Sequence, residues 1–187
     1  LETVVYAVSQ LEDDELFNAG IGSQIQSDGK IRMSASLMDG ESQKMSGVIN
    51  IEEVKNPILV AQVLMQVDDR ILGGSGATNF ARKHGFEPFS TEIPQRRAEY
   101  EAKLASLGTG TVGCVALDNN GKIAVATSTG GKGFEIPGRI SDSATVAGNY
   151  ANEFCGVSLT GVGEDIVSNA TAAKIVTRVT DGFSIEK

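Results

Sequence analysis

The chain has 187 residues, 41% of them hydrophobic and 21% charged, with a formal net charge of -8; that is enough for one sizeable core and a single domain. The acidic balance argues against a nucleic-acid partner, which needs a concentrated basic face, and no apolar run approaches the roughly 20 residues of a membrane span. The single histidine, His84, is the only one a Ser-His-Asp triad could use, and with Cys114 and Cys155 it makes too small a ligand set for a typical zinc site.

The opening segment LETVVYAVSQLEDDELF places Leu1, Val4, Val5, Val8 and Leu11 at helical spacing. No cap or strand precedes it, so the chain is expected to open inside a helix, and no signal peptide is visible. FNAGIGSQIQSDGKIRMSASLMDG reads as a loop feeding a hairpin, with Ser27-Asp28-Gly29 as its turn. SGVINIEEV is a strand, and Asn56-Pro57 starts a helix over PILVAQVLMQV. ATNFARKHG is a short helix in which His84 is a C-terminal cation ahead of Gly85. PQRRAEYEAKLASLG is a polar helix ending at Gly108, with Arg96-Arg97 among glutamates on a solvated face.

Beyond it the character changes. TVGCVALD and KIAVATSTGG are two β runs joined by Asn119-Asn120-Gly121, a three-residue hairpin loop. If Asp118 faces Lys122, then Thr111 faces Thr129 on the same side of the hairpin; a one-residue slip would separate them. PGRISDSATVAGNYANEF reads as an irregular loop, CGVSLTGVGED as a strand ending in a glycine turn, and EDIVSNATAAKIVTRV as one helix. The two cysteines are expected to be small buried core residues in a reducing cytoplasm rather than a disulfide. Glycine is the compositional oddity, 22 residues of 187 against a usual share of roughly 7%. It clusters in GIG, GGSG, GTGTVG, STGGKG and TGVG, where backbone approaches something closely.

Thr111 carries the chemical question. Inside a chain its hydroxyl is a weak nucleophile and threonine merely a good strand opener. If the Gly110-Thr111 bond is cut, the residue gains an α-amine with a pKa of about 7.7 to 8.0, a general base on the same residue as the hydroxyl it activates. Gly110, without a side chain, leaves its carbonyl open to that hydroxyl.

The motifs LFNAGIGS, SLMDG, NPILVAQVLM, GTVGCVALD, ATSTGG, PGRISDS and SLTGVGE occur in one order over nearly the whole chain. In that order and spacing the sequence resembles the plant-type asparaginase and isoaspartyl aminopeptidase family of N-terminal-nucleophile hydrolases. The resemblance implies an α+β fold, the four-layer αββα sandwich, expected to be incomplete here. It lacks the family's first strand, most of the first helix and the strands after TDGFSIEK. It implies a threonine nucleophile at Thr111, freed by self-cleavage into an α portion (1–110) and a β portion (111–187). The implied activity is hydrolysis of isoaspartyl dipeptides and L-asparagine to L-aspartate, in a dimer of αβ units.

On the same resemblance Thr129 hydrogen-bonds the nucleophile and Asn18 stands near it. Arg139 holds the substrate α-carboxylate, for which a guanidinium fork is suited, and Asp142 takes the α-ammonium. Thr160 and the Gly161 amide form the oxyanion hole, and Gly163 lines the same pocket. A structural sodium ion is implied, held by main-chain carbonyls of Leu11, Glu12, Asp14, Phe17, Ala19 and Ile21; an oxygen-only shell suits a hard cation. No catalytic cofactor is expected. Taken singly, Arg139 and Asp142 also read as a surface ion pair, Asn18 as a turn residue, and TGVG as a plain turn before a helix. Glycosylasparaginases, taspase-like endopeptidases and a non-catalytic amino-acid-binding domain are the competing readings.

Overall fold

The structure, a computed structural model, describes residues 1–102 and 110–184. Apolar spacing makes α1 (Glu2–Glu12) an amphipathic helix that buries Val4, Val5 and Val8. Burial of each such side chain is worth roughly 1.5–3 kcal/mol. The next elements are β1 (Met33–Asp39), β2 (Met45–Ile51), α2 (Pro57–Leu64), β3 (Ile71–Gly73), α3 (Gly74–Lys83) and α4 (Pro94–Ala102). After residue 110 come β4 (Val112–Leu117), β5 (Ile123–Thr129), β6 (Asn149–Ala151), β7 (Gly156–Ser158), α5 (Gly163–Asn169) and α6 (Thr171–Thr180).

Five strands form one mixed sheet in the order β3-β2-β1-β5-β4, and β6 and β7 form a separate pair. Only β2 and β3 run parallel; the other pairings are antiparallel. The fold is therefore α+β. The alternation along β5 shows what covers each face. Ala124 and Ala126 belong to the core that includes Val4, Val8 and Val112, and Ser128 reaches Glu12 at the end of α1. Val125 instead packs with Met38 and Ala151, and Thr127 bonds Asn149 and Ser158 of the small sheet. Helices thus cover one face of the large sheet and the β6-β7 pair covers the other, with α6 packed on that pair.

The β4-β5 hairpin has the register expected from Asn119-Asn120-Gly121: Val112 pairs with Ser128 and Leu117 with Ile123. Gly121, at φ +79°, closes the turn. Several expectations need correction. The turn at residues 27–29 forms, Gly29 N donating to Gln26 O at 2.9 Å, but it joins no paired strands. The hairpin turn instead lies between Asp39 and Lys44, because β1 pairs with β2. The loop after Pro137 contains a short 3-10 turn, Asp142–Ala144, and then β6. The expected single helix after Gly163 is two, broken at Ala170, which sits in the left-handed region at φ +48°. The cysteines are free, as expected, but half-buried rather than buried. The stretch from Lys103 to Gly108 expected to extend α4 lies outside the described residues. His84 does cap α3, its ring stacked on Phe80.

Candidate active site

Thr111 stands just before the first paired residue of β4, and Thr129 ends β5. The register brings their side chains together: Thr111 Oγ1 donates to Thr129 Oγ1 at 3.2 Å. Thr129 Oγ1 in turn donates to the Gly110 carbonyl at 3.2 Å and accepts the Gly131 N–H at 3.1 Å. Its donor and both acceptor positions are used, so its orientation is fixed.

Asn18 lies in the loop that follows α1. Its Oδ1 accepts from Gln24 N at 2.9 Å, while its Nδ2 donates to the Gly110 carbonyl at 2.8 Å and to the Gly131 carbonyl. Gly130 N donates to the Asn18 carbonyl at 2.9 Å. Asn18 is more than a turn residue, because it ties the loop after α1 to the carbonyl just before Thr111. That carbonyl receives two side-chain donors, Asn18 Nδ2 and Thr129 Oγ1.

A cavity of about 130 Å³ opens beside this pair, lined among others by Gly110, Thr111, Thr129, Arg139, Asp142 and Gly163. Gly163 separates the two charged residues: a Cβ there would stand 2.8 Å from Arg139 Nη2 and 2.9 Å from Asp142 Oδ1. Arg139 and Asp142 are not a surface ion pair. Arg139 instead forks onto Glu164, Nε to Oε1 at 2.7 Å and Nη2 to Oε2 at 3.1 Å, and this bond holds the Glu164 carboxyl down at about 2. Asp142 is buried, and its Oδ2 has no partner among the described residues. Burial pushes its carboxyl above the ordinary value, with Arg139 pulling the other way. The cavity wall thus carries two cations, Lys132 and Arg139, and two carboxyl groups, Asp142 and Glu164, with the Arg139 fork engaged by Glu164.

Gly161 lines this same cavity, whereas Thr160 is exposed and lines an adjoining groove that also contains Thr111 and Ser158.

The loop after α1 turns back onto the helix end, Ile21 N donating to the Glu12 carbonyl at 2.7 Å. A Cβ on Gly20 would overlap that same oxygen, and one on Gly22 would crowd the Glu15 and Phe17 carbonyls. Of the six carbonyls named for sodium, those of Glu12 and Phe17 lie against these side-chain-free positions, and an oxygen-only set suits a hard cation. The Glu12 side chain is buried beneath, and burial pushes its carboxyl up to about 8.

The profile described as Asparaginase matches residues 1–103 and 91–187. The chain is 49% identical to an isoaspartyl peptidase/L-asparaginase of Synechocystis sp. over 99% of its own length, and 48% identical to one of Nostoc sp. over 98%. The chain belongs to the asparaginase family. It is also 38% identical to the isoaspartyl peptidase of Escherichia coli over 94% of its length. It spans 62%, 64% and 61% of those three relatives. In this asparaginase-family chain two features of the site were not foreseen from the sequence. Glu164 directly follows Gly163 in SLTGVGE, which was the available signal for it. Ser128 gave none, since serine beside threonine in a strand suggests nothing. Among the described residues no helix is long and apolar enough to cross a membrane.

Proposed function

We propose that this chain carries the active site of a threonine-nucleophile hydrolase that releases L-aspartate from β-aspartyl dipeptides and L-asparagine. The carrying observation is the 3.2 Å contact between the Thr111 and Thr129 hydroxyls at the wall of the cavity that also holds Arg139 and Asp142. Family membership and the names of the relatives support the same reading.

Maturation comes first. Thr111 Oγ1 attacks the Gly110 carbonyl carbon while Asn18 Nδ2 and Thr129 Oγ1 donate to the developing oxyanion. The C–O bond forms, the C–N bond breaks, and the hydroxyl proton ends on the new α-amine. Water then hydrolyses the ester, leaving portions 1–110 and 111–187.

In turnover the free amine takes the Thr111 hydroxyl proton as Oγ1 attacks the substrate side-chain carbonyl. Arg139 and Asp142 hold the substrate α-carboxylate and α-ammonium, which fixes that carbonyl against the nucleophile. Thr160 and the Gly161 amide serve the oxyanion. The proton passes to the leaving ammonia or amine, and water hydrolyses the β-aspartyl ester to release L-aspartate. Carbonyls of Leu11, Glu12, Asp14, Phe17, Ala19 and Ile21 would hold a sodium ion, whose contribution is to keep the Asn18 loop in shape. The two stacked sheets with outer helices read as part of a four-layer αββα sandwich, in a dimer of αβ units. The free thiols suit a cytoplasmic protein.

Intact-mass measurement should find a new N-terminus at Thr111, and the cut protein should liberate aspartate from a β-aspartyl dipeptide. A chain that stays whole and releases none from either substrate defeats the reading.

A further inference from the structure

Glu12 is fully buried. Its Oε1 accepts from Ser128 Oγ at 2.6 Å and from the Ile58 N–H at 3.1 Å, while its Oε2 has no partner among the described residues. Burying a carboxyl group without full hydrogen bonding is costly, and an apolar side chain could fill the space without that penalty. The contribution of this side chain must therefore be sought in what it holds.

It holds two things. Ile58 is the second residue of α2, whose N-cap Asn56 makes no side-chain cap bond, so the Glu12 carboxyl caps α2 in its place. Ser128 is the rung between Thr127 and Thr129, and it pairs with Val112, the residue after Thr111. By alternation, the Ser128 side chain points to the helix face while Thr129 points to the site. Glu12 consequently cannot touch a ligand in the cavity. It can only fix the height and twist of the Val112–Ser128 rung that adjoins both threonines.

We propose that Glu12 is a positioning residue for the Thr111–Thr129 pair, acting through Ser128 from the opposite face of the sheet. The kinetic part of this proposal rests on the hydrolase function proposed above; the placement part does not. Without the carboxyl, Ser128 Oγ and the Ile58 N–H lose their acceptor inside the core, and the end of β5 is free to shift. Displacements below an ångström at reacting atoms are enough to slow a reaction strongly.

The test uses Glu12→Ala, Glu12→Gln and Ser128→Ala in the full chain. Hydrogen exchange resolved by mass spectrometry is measured on residues 126–131 relative to β2, which separates local loosening from general destabilisation. Glu12→Ala is expected to speed exchange in that segment at least about ten-fold over β2, and to lower kcat about ten-fold with KM nearly unchanged. Glu12→Gln keeps an acceptor oxygen of the same reach and restores both. Ser128→Ala reproduces the Glu12→Ala effect and adds nothing to it in the double variant. A folded Glu12→Ala protein with unaltered relative exchange overturns the proposal. So does a loss carried by KM, or one that Glu12→Gln fails to rescue. If the unmutated chain neither cuts itself nor releases aspartate, only the hydrolase function falls, and exchange still decides the placement. If Glu12→Ala does not fold, Ser128→Ala takes its place, and unaltered relative exchange in that variant overturns the proposal equally.

Discussion

Thr111 and Thr129 face one another across the open end of a hairpin, their hydroxyl oxygens 3.2 Å apart. Thr129 touches both the Thr111 hydroxyl and the Gly110 carbonyl, the attacking and attacked groups of the proposed self-cleavage. Thr129→Val keeps shape and strand propensity but removes the hydroxyl. Self-cleavage and later turnover should each slow by about 10²-fold, the usual loss for one such donor. Gel-resolved cleavage time courses and single-turnover aspartate release measure the two separately. A variant that cuts itself at the unmutated rate would show that Thr129 has no part in maturation.

Asn18 approaches the same carbonyl from a different element, with its amide orientation set by Gln24 N on the oxygen side. Asn18→Asp preserves the acceptor and the size but replaces the donor with an anion beside the developing oxyanion. Cleavage should fall by at least about 10²-fold. The change should fall mainly on cutting of the chain, and mass spectrometry of freshly purified protein at timed intervals reads it. An Asn18→Asp protein isolated fully cut would remove Asn18 from the maturation step.

Where a short-range rule dominates, the sequence was a reliable guide. Asn119-Asn120-Gly121 fixes the hairpin register, and with it the meeting of Thr111 and Thr129. The spacing of Val4, Val5 and Val8 fixes α1. The rest depended on longer-range packing. Strands of three residues, such as β3 and β6, are too short to show a period, so neither reads as a strand, whereas β7 does within CGVSLTGVGED. Ser27-Asp28-Gly29 has good turn chemistry, yet which strands pair is decided by the sheet, not the turn. Burial of Asp142 and the fork from Arg139 to Glu164 depend on how a loop folds back onto α5, and residue spacing does not encode that.

In the proposed function Asp142 couples substrate binding to stability. Burial raises its carboxyl above the ordinary 3.8, so the folded state holds the proton more tightly than the unfolded one. Stability therefore falls as pH climbs from 3.8 through the raised value, and the penalty is complete above that window. Asp142→Asn removes the penalty and should raise Tm at neutral pH. The same change deletes the anion proposed to face the α-ammonium, so KM should rise about ten-fold or more. In the unmutated protein KM should also climb as pH drops through the raised value, and the Asn variant should lose that limb. Calorimetry together with a pH series of initial rates tests both halves. A lower Tm with unchanged KM contradicts the assignment.

The break between α5 and α6 offers a test of the fold independent of any chemistry. Ala170 holds φ +48° and ψ +45° while ending one helix and starting the next. An L-residue with a Cβ pays about 1–2 kcal/mol for that conformation, whereas glycine adopts it freely. Ala172 and Val176 on α6 are buried, and Ala172 N donates to Ala147 O at 2.8 Å, so tertiary contacts hold the kink in place. Ala170→Gly relieves the strain but enlarges the freedom of the unfolded chain, which offsets part of the gain. The net expectation is a stabilisation of about 0.5–1 kcal/mol, read as a higher denaturant midpoint at constant slope. If 163–180 formed one continuous helix, the same glycine would sit in a helix interior and destabilise by about 1 kcal/mol. The sign of the midpoint shift therefore decides between the kinked and the straight arrangement.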